Sequence, residues 1–234
     1  MEKVDRNLYP DDEIDEVSLI LIHPNGQQRQ WRIRQYYQRA YENGMGAILL
    51  RFVDPTDLHG TTLVSVNQPG GENNQWLYLP AFRMPQFLAD SRKSDYVFGS
   101  DLTFEDFTPC ILDEYDYAFV REEIFAERHA IVIRKTPTAP KLQSRVKYAY
   151  QMLWVDPDRN IFLRADFFDS IGQMYKTVTW GDFYQPDRIH WRARRVAFFS
   201  PLRPHWTQLS VEDIQLNRGL PAEFFSERNL TNIR

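Results

Sequence analysis

QWLYLPAFRMPQFLADSRKSDYVFGSDLTFED, residues 75–106, is the stretch on which the fold turns. It opens as an apolar strand over 75–79 and meets Pro80. Large apolar residues follow at Phe82, Met84, Phe87 and Leu88, then a basic, polar bend over 91–94. The turn Phe98-Gly99-Ser100-Asp101 leads into an acidic, aromatic piece over 102–107. Strand periodicity fails from Pro80 to Pro109. The expectation is two short helices, over 84–89 and 102–107, laid against one face of a sheet. Thr103 with Asp106 three residues on is a loose capping-box pattern for the second.

On either side of this interruption the chain reads as strands. Residues 17–23 are compact and apolar, and Pro24-Asn25-Gly26 is a hairpin signal because Asn-Gly supplies positive φ. Over 28–36, Arg29, Trp31 and Ile33 project one way and Gln30, Arg32 and Arg34 the other, the period of a half-exposed antiparallel strand. Strands are expected at 47–53, closed by Asp54-Pro55, and at 61–67, rich in β-branched residues. Residues 68–74 form a turn cluster. Further strands are expected at 117–121, 130–135, 147–155, 161–168, 174–180, 189–199 and 206–217, with a helical turn at 221–225. About twelve short strands with tight turns favour an antiparallel meander, as a barrel or strongly curved sheet. Residues 1–16 are acidic and aperiodic and are expected to be an exposed lead-in; residues 17–234 are expected to form one domain.

The chain has 234 residues, 43% hydrophobic and 15% aromatic, enough for a substantial core. A net charge of −4 leaves no global nucleic-acid footprint. No apolar run approaches the roughly 20 residues of a membrane-spanning helix. Residues 1–13 lack the apolar region of a signal peptide. The single cysteine, Cys110, excludes an internal disulfide and a cysteine-based zinc site. The five histidines show no i, i+4 pair, so no metal ligands are assigned. There is no Gly-x-Ser-x-Gly elbow, phosphate loop or dinucleotide fingerprint, and no cofactor is expected. Ser100-Asp101 and Glu105-Asp106 are candidate acid/base groups or plain turn and helix-start carboxylates. Two basic clusters, Arg29/Arg32/Arg34/Arg39 and Arg188/Arg192/Arg194/Arg195, are either solvated sheet faces or contacts for anionic headgroups or an acidic partner.

The aromatic load is more informative. A curved sheet with short helices on its concave face can enclose an apolar cavity, and small-molecule sites are concave and apolar. Trp31, Phe52, Trp76, Tyr78, Phe82, Phe87, Phe98 and Phe104 are the candidate cavity lining, with Gly99-Ser100-Asp101 as the turn that sets Phe98 and Phe104 over it. Phe162, Phe167, Trp154, Trp180 and Trp191 belong to the same aromatic excess.

Four landmarks carry a family resemblance. They are Arg51-Phe52-Val53-Asp54-Pro55 with His59-Gly60-Thr61; the QWLYLPA segment, 75–81; Phe98 with the GSDLTFED segment, 99–106; and Trp154-Val155-Asp156 with Phe168-Asp169 and Lys176-Thr177. Together they resemble the LolA-like outer-membrane lipoprotein-sorting proteins, over about residues 17–230. The resemblance implies an incomplete antiparallel β-barrel with short helices covering its concave face and an acyl-chain cavity inside. It implies a non-enzymatic periplasmic carrier of lipoprotein or lipid, exported with a signal peptide that this chain lacks. An RND-type inner-membrane exporter and the outer membrane are the implied partners. Many relatives carry consecutive arginines after LPA; here the residues are Phe82-Arg83-Met84-Pro85. Two other readings stay open: an interaction or assembly module whose concave face is filled by its own side chains, and a lipid-modifying enzyme using Asp101 or Glu105 with a histidine.

Overall fold

The computed structural model describes residues 1–8, 10–39, 46–68, 72–138, 140–203 and 205–231. A helix, α1 (Glu2–Leu8), precedes five strands: β1 (Asp12–Ile22), β2 (Gln28–Gln38), β3 (Ala47–Asp54), β4 (Thr62–Asn67) and β5 (Asn73–Leu79). After β6 (Met84–Phe87), a connector of short 3₁₀ turns leads to β7 (Tyr115–Phe125) and β8 (Arg128–Pro137). Helix α2 (Pro140–Arg145) follows, then β9 (Tyr150–Asp156), β10 (Ile161–Phe168), β11 (Met174–Tyr184), β12 (Arg192–Phe199) and β13 (Trp206–Leu216).

Among the described residues the thirteen strands form one antiparallel sheet in the order β6-β5-β4-β3-β2-β1-β13-β12-β11-β10-β9-β8-β7. It is a meander whose first and last long strands pair, while its free edges, β6 and β7, are consecutive in sequence. The sheet therefore does not close into a barrel, and the connector 88–114 spans the gap. Inner-face side chains from distant strands (Leu19, Trp31, Leu50, Leu153, Val178, Phe198) share one core with Leu88, Val97, Leu102, Phe104 and Phe107 of the connector. Only a curled sheet with the connector lying inside it brings these together, because alternate residues of each strand point to the same face.

The fold agrees with the expected incomplete antiparallel barrel and differs in its details. Residues 84–89 are not a helix. Met84–Phe87 extend the sheet by one strand, and Pro85 is tolerated there because the strand is an edge. The expected helix at 102–107 is a 3₁₀ turn over Phe104–Phe107, its start fixed by Asp106, whose Oδ2 accepts from Thr103 N at 2.7 Å and Thr103 Oγ1 at 3.0 Å. The tail forms a 3₁₀ turn at Ala222–Phe225. The turn cluster 68–74 lies partly outside the described residues.

The acidic lead-in is not an exposed tail. Val4 is buried in the main core. Asp12 is buried because its carboxylate accepts from the backbone N–H groups of Arg218, Gly219 and Leu220 at 2.7, 2.7 and 3.1 Å. Three of the basic-cluster arginines pair with the acidic segment: Arg39 with Asp5, Arg192 with Glu13, and Arg34 with Glu16. No helix among the described residues is long and apolar enough to cross a membrane.

Candidate functional site

The connector is pinned to both halves of the sheet by buried polar contacts. On the N-terminal side, β4 and β5 turn a polar stripe inward. Gln75 Nε2 donates to Phe104 O at 2.9 Å and to Thr108 Oγ1 at 3.1 Å. Asn67 Nδ2 donates to Pro109 O at 3.1 Å. Lys93 is fully buried and donates to Asn73 O and to Asp90 Oδ1, both at 2.6 Å; burial pushes its pKa down. On the far side Lys176 of β11 forms an ion pair with Asp106. Asp101, with no exposed surface, accepts from Thr207 Oγ1 at 2.9 Å and lies 3.1 Å from His205 Nδ1. Arg203 donates to the carbonyls of Ser100 and Gly99 and stacks over Tyr96. The Phe98-Gly99 turn has both residues at positive φ, 46° and 84°, and glycine removes the steric cost at the second. Phe98 meets Phe52 edge-on at 5.1 Å between ring centres.

Asp101 with His205 is the carboxylate–imidazole pair that an enzymatic reading calls for. It is packed into the core and lines neither of the two chambers described below. Burial holds the Asp101 carboxyl above its usual range despite Thr207 and His205. Its geometry is that of a latch. Among the described residues no group of three or more His, Cys, Asp or Glu side chains could hold a metal ion.

The candidate lining divides three ways. Trp31, Phe52, Phe98 and Phe104 lie on the inner face. Around the first three only about 10 Å³ stays empty, so they fill the core instead of bounding open space. Trp76 and Tyr78 point the other way, into an outer-face cluster with Tyr36, Leu49, Val64, Phe225 and Leu230. Register decides this: Trp76 pairs with Val64, one residue out of phase with the inner Leu63 and Leu77. Phe82 and Phe87 are exposed, on the β5–β6 turn and on the edge strand.

Open space on the inner face lies further along, under β8–β11. An apolar chamber of about 150 Å³ is bounded by Val4, Leu153, Phe162, Ala165, Phe167 and Trp180, with Cys110 and Leu112 of the connector. A second chamber of about 190 Å³ shares Cys110, Lys135, Gln151 and Phe167 with it and adds Glu105, Glu114, Arg145 and Tyr148. Lys135 Nζ sits 3.5 Å from Cys110 Sγ and over the ring of Tyr115 at 3.7 Å. The hydroxyls of Tyr115 and Tyr148 are 3.0 Å apart, and burial raises both their pKa values. Burial, with help from the adjacent Asp106 charge, pushes the Glu105 carboxyl up to about 7. One half of the inner face is thus sealed by the connector's polar anchors, and the other keeps an apolar chamber beside a charged one, with Cys110, Lys135, Gln151 and Phe167 lining both. The aromatic excess at Phe162, Phe167 and Trp180 was the sequence signal for it. Val4 and Ala165 had none, because a small residue or an acidic leader does not announce a cavity wall.

A family model described as that of an uncharacterized protein matches residues 44–232. A structure described as a putative outer membrane lipoprotein-sorting protein domain from Vibrio parahaemolyticus is 25% identical, with a TM-score of 0.90 over 98% of this chain and 95% of that one. A LolA superfamily protein from Nitrosomonas europaea shares the fold at 18% identity, TM-score 0.75, over 96% of this chain and 94% of that one.

The chain belongs to the family whose model spans residues 44–232, and its fold is LolA-like.

A DUF1329 family protein from Desulfovibrio piger has the same LolA-like fold at 23% identity, TM-score 0.89, over 98% of this chain and 95% of that one. No curated protein matches the sequence. The LolA-like motifs acquire physical roles here. In QWLYLPA, Gln75 anchors the connector; in GSDLTFED, Asp101 and Asp106 are its latches to β13 and β11. Gly60, in the first motif, faces Pro80 of the second, where an added Cβ would lie 3.3 Å from Pro80 Cγ.

Proposed function

We propose that this LolA-like protein is a periplasmic carrier, not an enzyme, that takes an acyl chain of a lipoprotein or lipid into the apolar chamber and moves it toward the outer membrane. The observation that carries this reading is the pairing of the two chambers. An amphiphile has an apolar chain for the space between Phe162, Ala165 and Trp180 and a polar end for Lys135, Glu105 and Tyr148. Burying a chain gains about 0.8 kcal/mol per CH₂. Release then requires a partner or membrane that holds the cargo as well or better. An RND-type exporter as donor and the outer membrane as acceptor suit such a carrier. The cavity residues in this reading are Phe162, Phe167 and Trp180; Trp31, Phe52, Phe98 and Phe104 are left out because they pack into the core, and Trp76, Tyr78, Phe82 and Phe87 because they face outward or solvent.

The test is saturable uptake of a fluorescent fatty-acid analogue, weakened by Phe162→Asp with the fold retained by circular dichroism. Trp76→Asp serves as the outer-face control and leaves uptake unchanged. A well-folded sample that takes up no analogue favours the second reading, an assembly module with a self-filled inner face, to which the 10 Å³ remnant around Trp31, Phe52 and Phe98 lends support.

A further inference from the structure

Four exposed apolar side chains lie together at one end of the sheet. This is the end where β1 leaves and β2 enters, and where the turns 169–173 and 200–203 lie. Ile171 and Leu202 sit on those two turns at 83% and 62% exposure. Directly behind them, Phe199 and Trp206 are 45% and 42% exposed. The register makes this a continuous outer-face row, since Ile22 pairs with Trp206 and Trp206 with Phe199. One step down the strands the row is Ile20, Gln208 and Ala197, without an ionisable group. One further step brings Arg32 opposite Ser18, and Arg195 opposite Ser210.

We propose that this rim docks on an anionic lipid bilayer, with Ile171, Leu202, Phe199 and Trp206 in the interfacial zone and Arg32 and Arg195 at the level of the lipid phosphates. Two residues of strand span about 7 Å, so the arginines stand roughly 13 Å above the Trp206 row. An interfacial element sinks about 5–10 Å into the headgroup boundary, which leaves the arginines beside the anionic surface. Trp at the boundary and cations above it match the partition of these side chains at membranes. A protein partner is the poorer fit. Protein interfaces ring an apolar centre with polar residues, whereas apolar and cationic rows are here stacked along one direction. Asp54 stands opposite Arg32 across β2–β3, and Glu212 and Glu16 share its groove, so a lipid phosphate competes with these carboxylates for Arg32; the charges nearer the rim are otherwise engaged. Asp169 is turned back onto the N–H groups of Ile171 and Gln173. Arg203 is committed to the connector carbonyls. Arg195 meets Asp182 at 2.5 Å, but both are about half exposed, and such surface pairs are weak enough for a phosphate to compete. The docking reads the rim alone and holds whether or not the inner chamber carries cargo.

The experiment is co-sedimentation of the full chain with vesicles of phosphatidylcholine alone and of phosphatidylcholine with phosphatidylglycerol. Wild-type protein partitions to the anionic vesicles, and the Ile171→Asp/Leu202→Asp variant partitions about tenfold less or worse. Both positions are exposed, so an unchanged urea midpoint verifies that the variant is folded. Arg32→Gln and Arg195→Gln each lower binding to anionic vesicles about fivefold and leave neutral vesicles unaffected. Brominated acyl chains quench the wild-type fluorescence, and Trp206→Phe removes that quenching. The proposal is overturned if wild-type protein does not partition, or if the double aspartate variant partitions equally well. It is also overturned by concentration-dependent self-association, lost in the double variant, without vesicle binding; the rim would then belong to a second copy of this chain.

Discussion

Ala165→Leu is the most direct probe of the apolar chamber. Ala165 is 2% exposed on β10, paired with Leu153 of β9 and Val178 of β11, and its methyl group forms part of the chamber wall. A chamber of about 150 Å³ is the size of an apolar cavity known to accept benzene, about six carbons. At about 0.8 kcal/mol per methylene, six buried carbons are worth about 5 kcal/mol, which sets a dissociation constant of order 0.2 mM for a short acyl chain. Leucine in place of alanine puts three more carbons into this space and takes the room of about three methylenes. The loss is about 2.4 kcal/mol, or about sixtyfold in affinity. Titration calorimetry with octanoate on the wild type and the variant measures it. The urea midpoint is the control: filling existing space leaves it unchanged or raised, and strain lowers stability by at most about 1–3 kcal/mol. If the folded variant binds octanoate as tightly as wild type, the chain lies elsewhere and the chamber argument fails.

Three further outcomes follow from the same contacts. Glu105 has a folded pKa raised to about 7 from an ordinary 4.5, so the folded state holds a proton that the unfolded state has lost. Stability is therefore highest below pH 4.5 with respect to this group and falls as pH rises through 7, by up to about 3 kcal/mol. Glu105→Gln removes that slope in urea titrations run from pH 5 to 8. Gln75→Leu deprives the carbonyl of Phe104 of its donor and costs about 2–4 kcal/mol, the penalty of one or two buried unmade hydrogen bonds; amide exchange at 104–108 speeds up first, because that turn loses its anchor. Lys176→Met strands the Asp106 carboxylate and costs about 3 kcal/mol or more. A loss below about 1 kcal/mol in thermal unfolding, the worth of an exposed pair, would refute the buried ion-pair account.

Much of the architecture is legible in the order of residues. Period-two alternation places Trp31 and Ile33 on one face of β2, and both are buried inside the curled sheet. The break in periodicity from Pro80 to Pro109 marks the connector, and Thr103 with Asp106 marks the start of its 3₁₀ turn. The faces of β5 and β6 are not legible in this way. Trp76 and Tyr78 alternate with Leu77 and Leu79, and two apolar sets in one strand give no sign of which points inward. Residues 84–89 carry the apolar content of a short helix, yet pairing with β5 satisfies their backbone and makes a strand. The acidic leader reads as solvated because its partners, Arg34, Arg39, Arg192 and the backbone at 218–220, reach it only through strand pairing and chain reversal.

By itself, the sequence determined most strand positions, the turns and the likeness to a LolA-like fold: strand periods, turn chemistry and motif spacing are set by neighbouring residues, so they survive without tertiary context. The tertiary structure alone decided which half of the inner face is sealed and which is open. That outcome depends on buried pairs far apart in the chain, Gln75 with Phe104, Asp101 with Thr207 and Asp106 with Lys176, and on the small Ala165 meeting Val4 across a space that neither fills. Buried polar groups must find partners. Where they found them, the GSDLTFED segment became an anchored plug, and the space left over became the chamber.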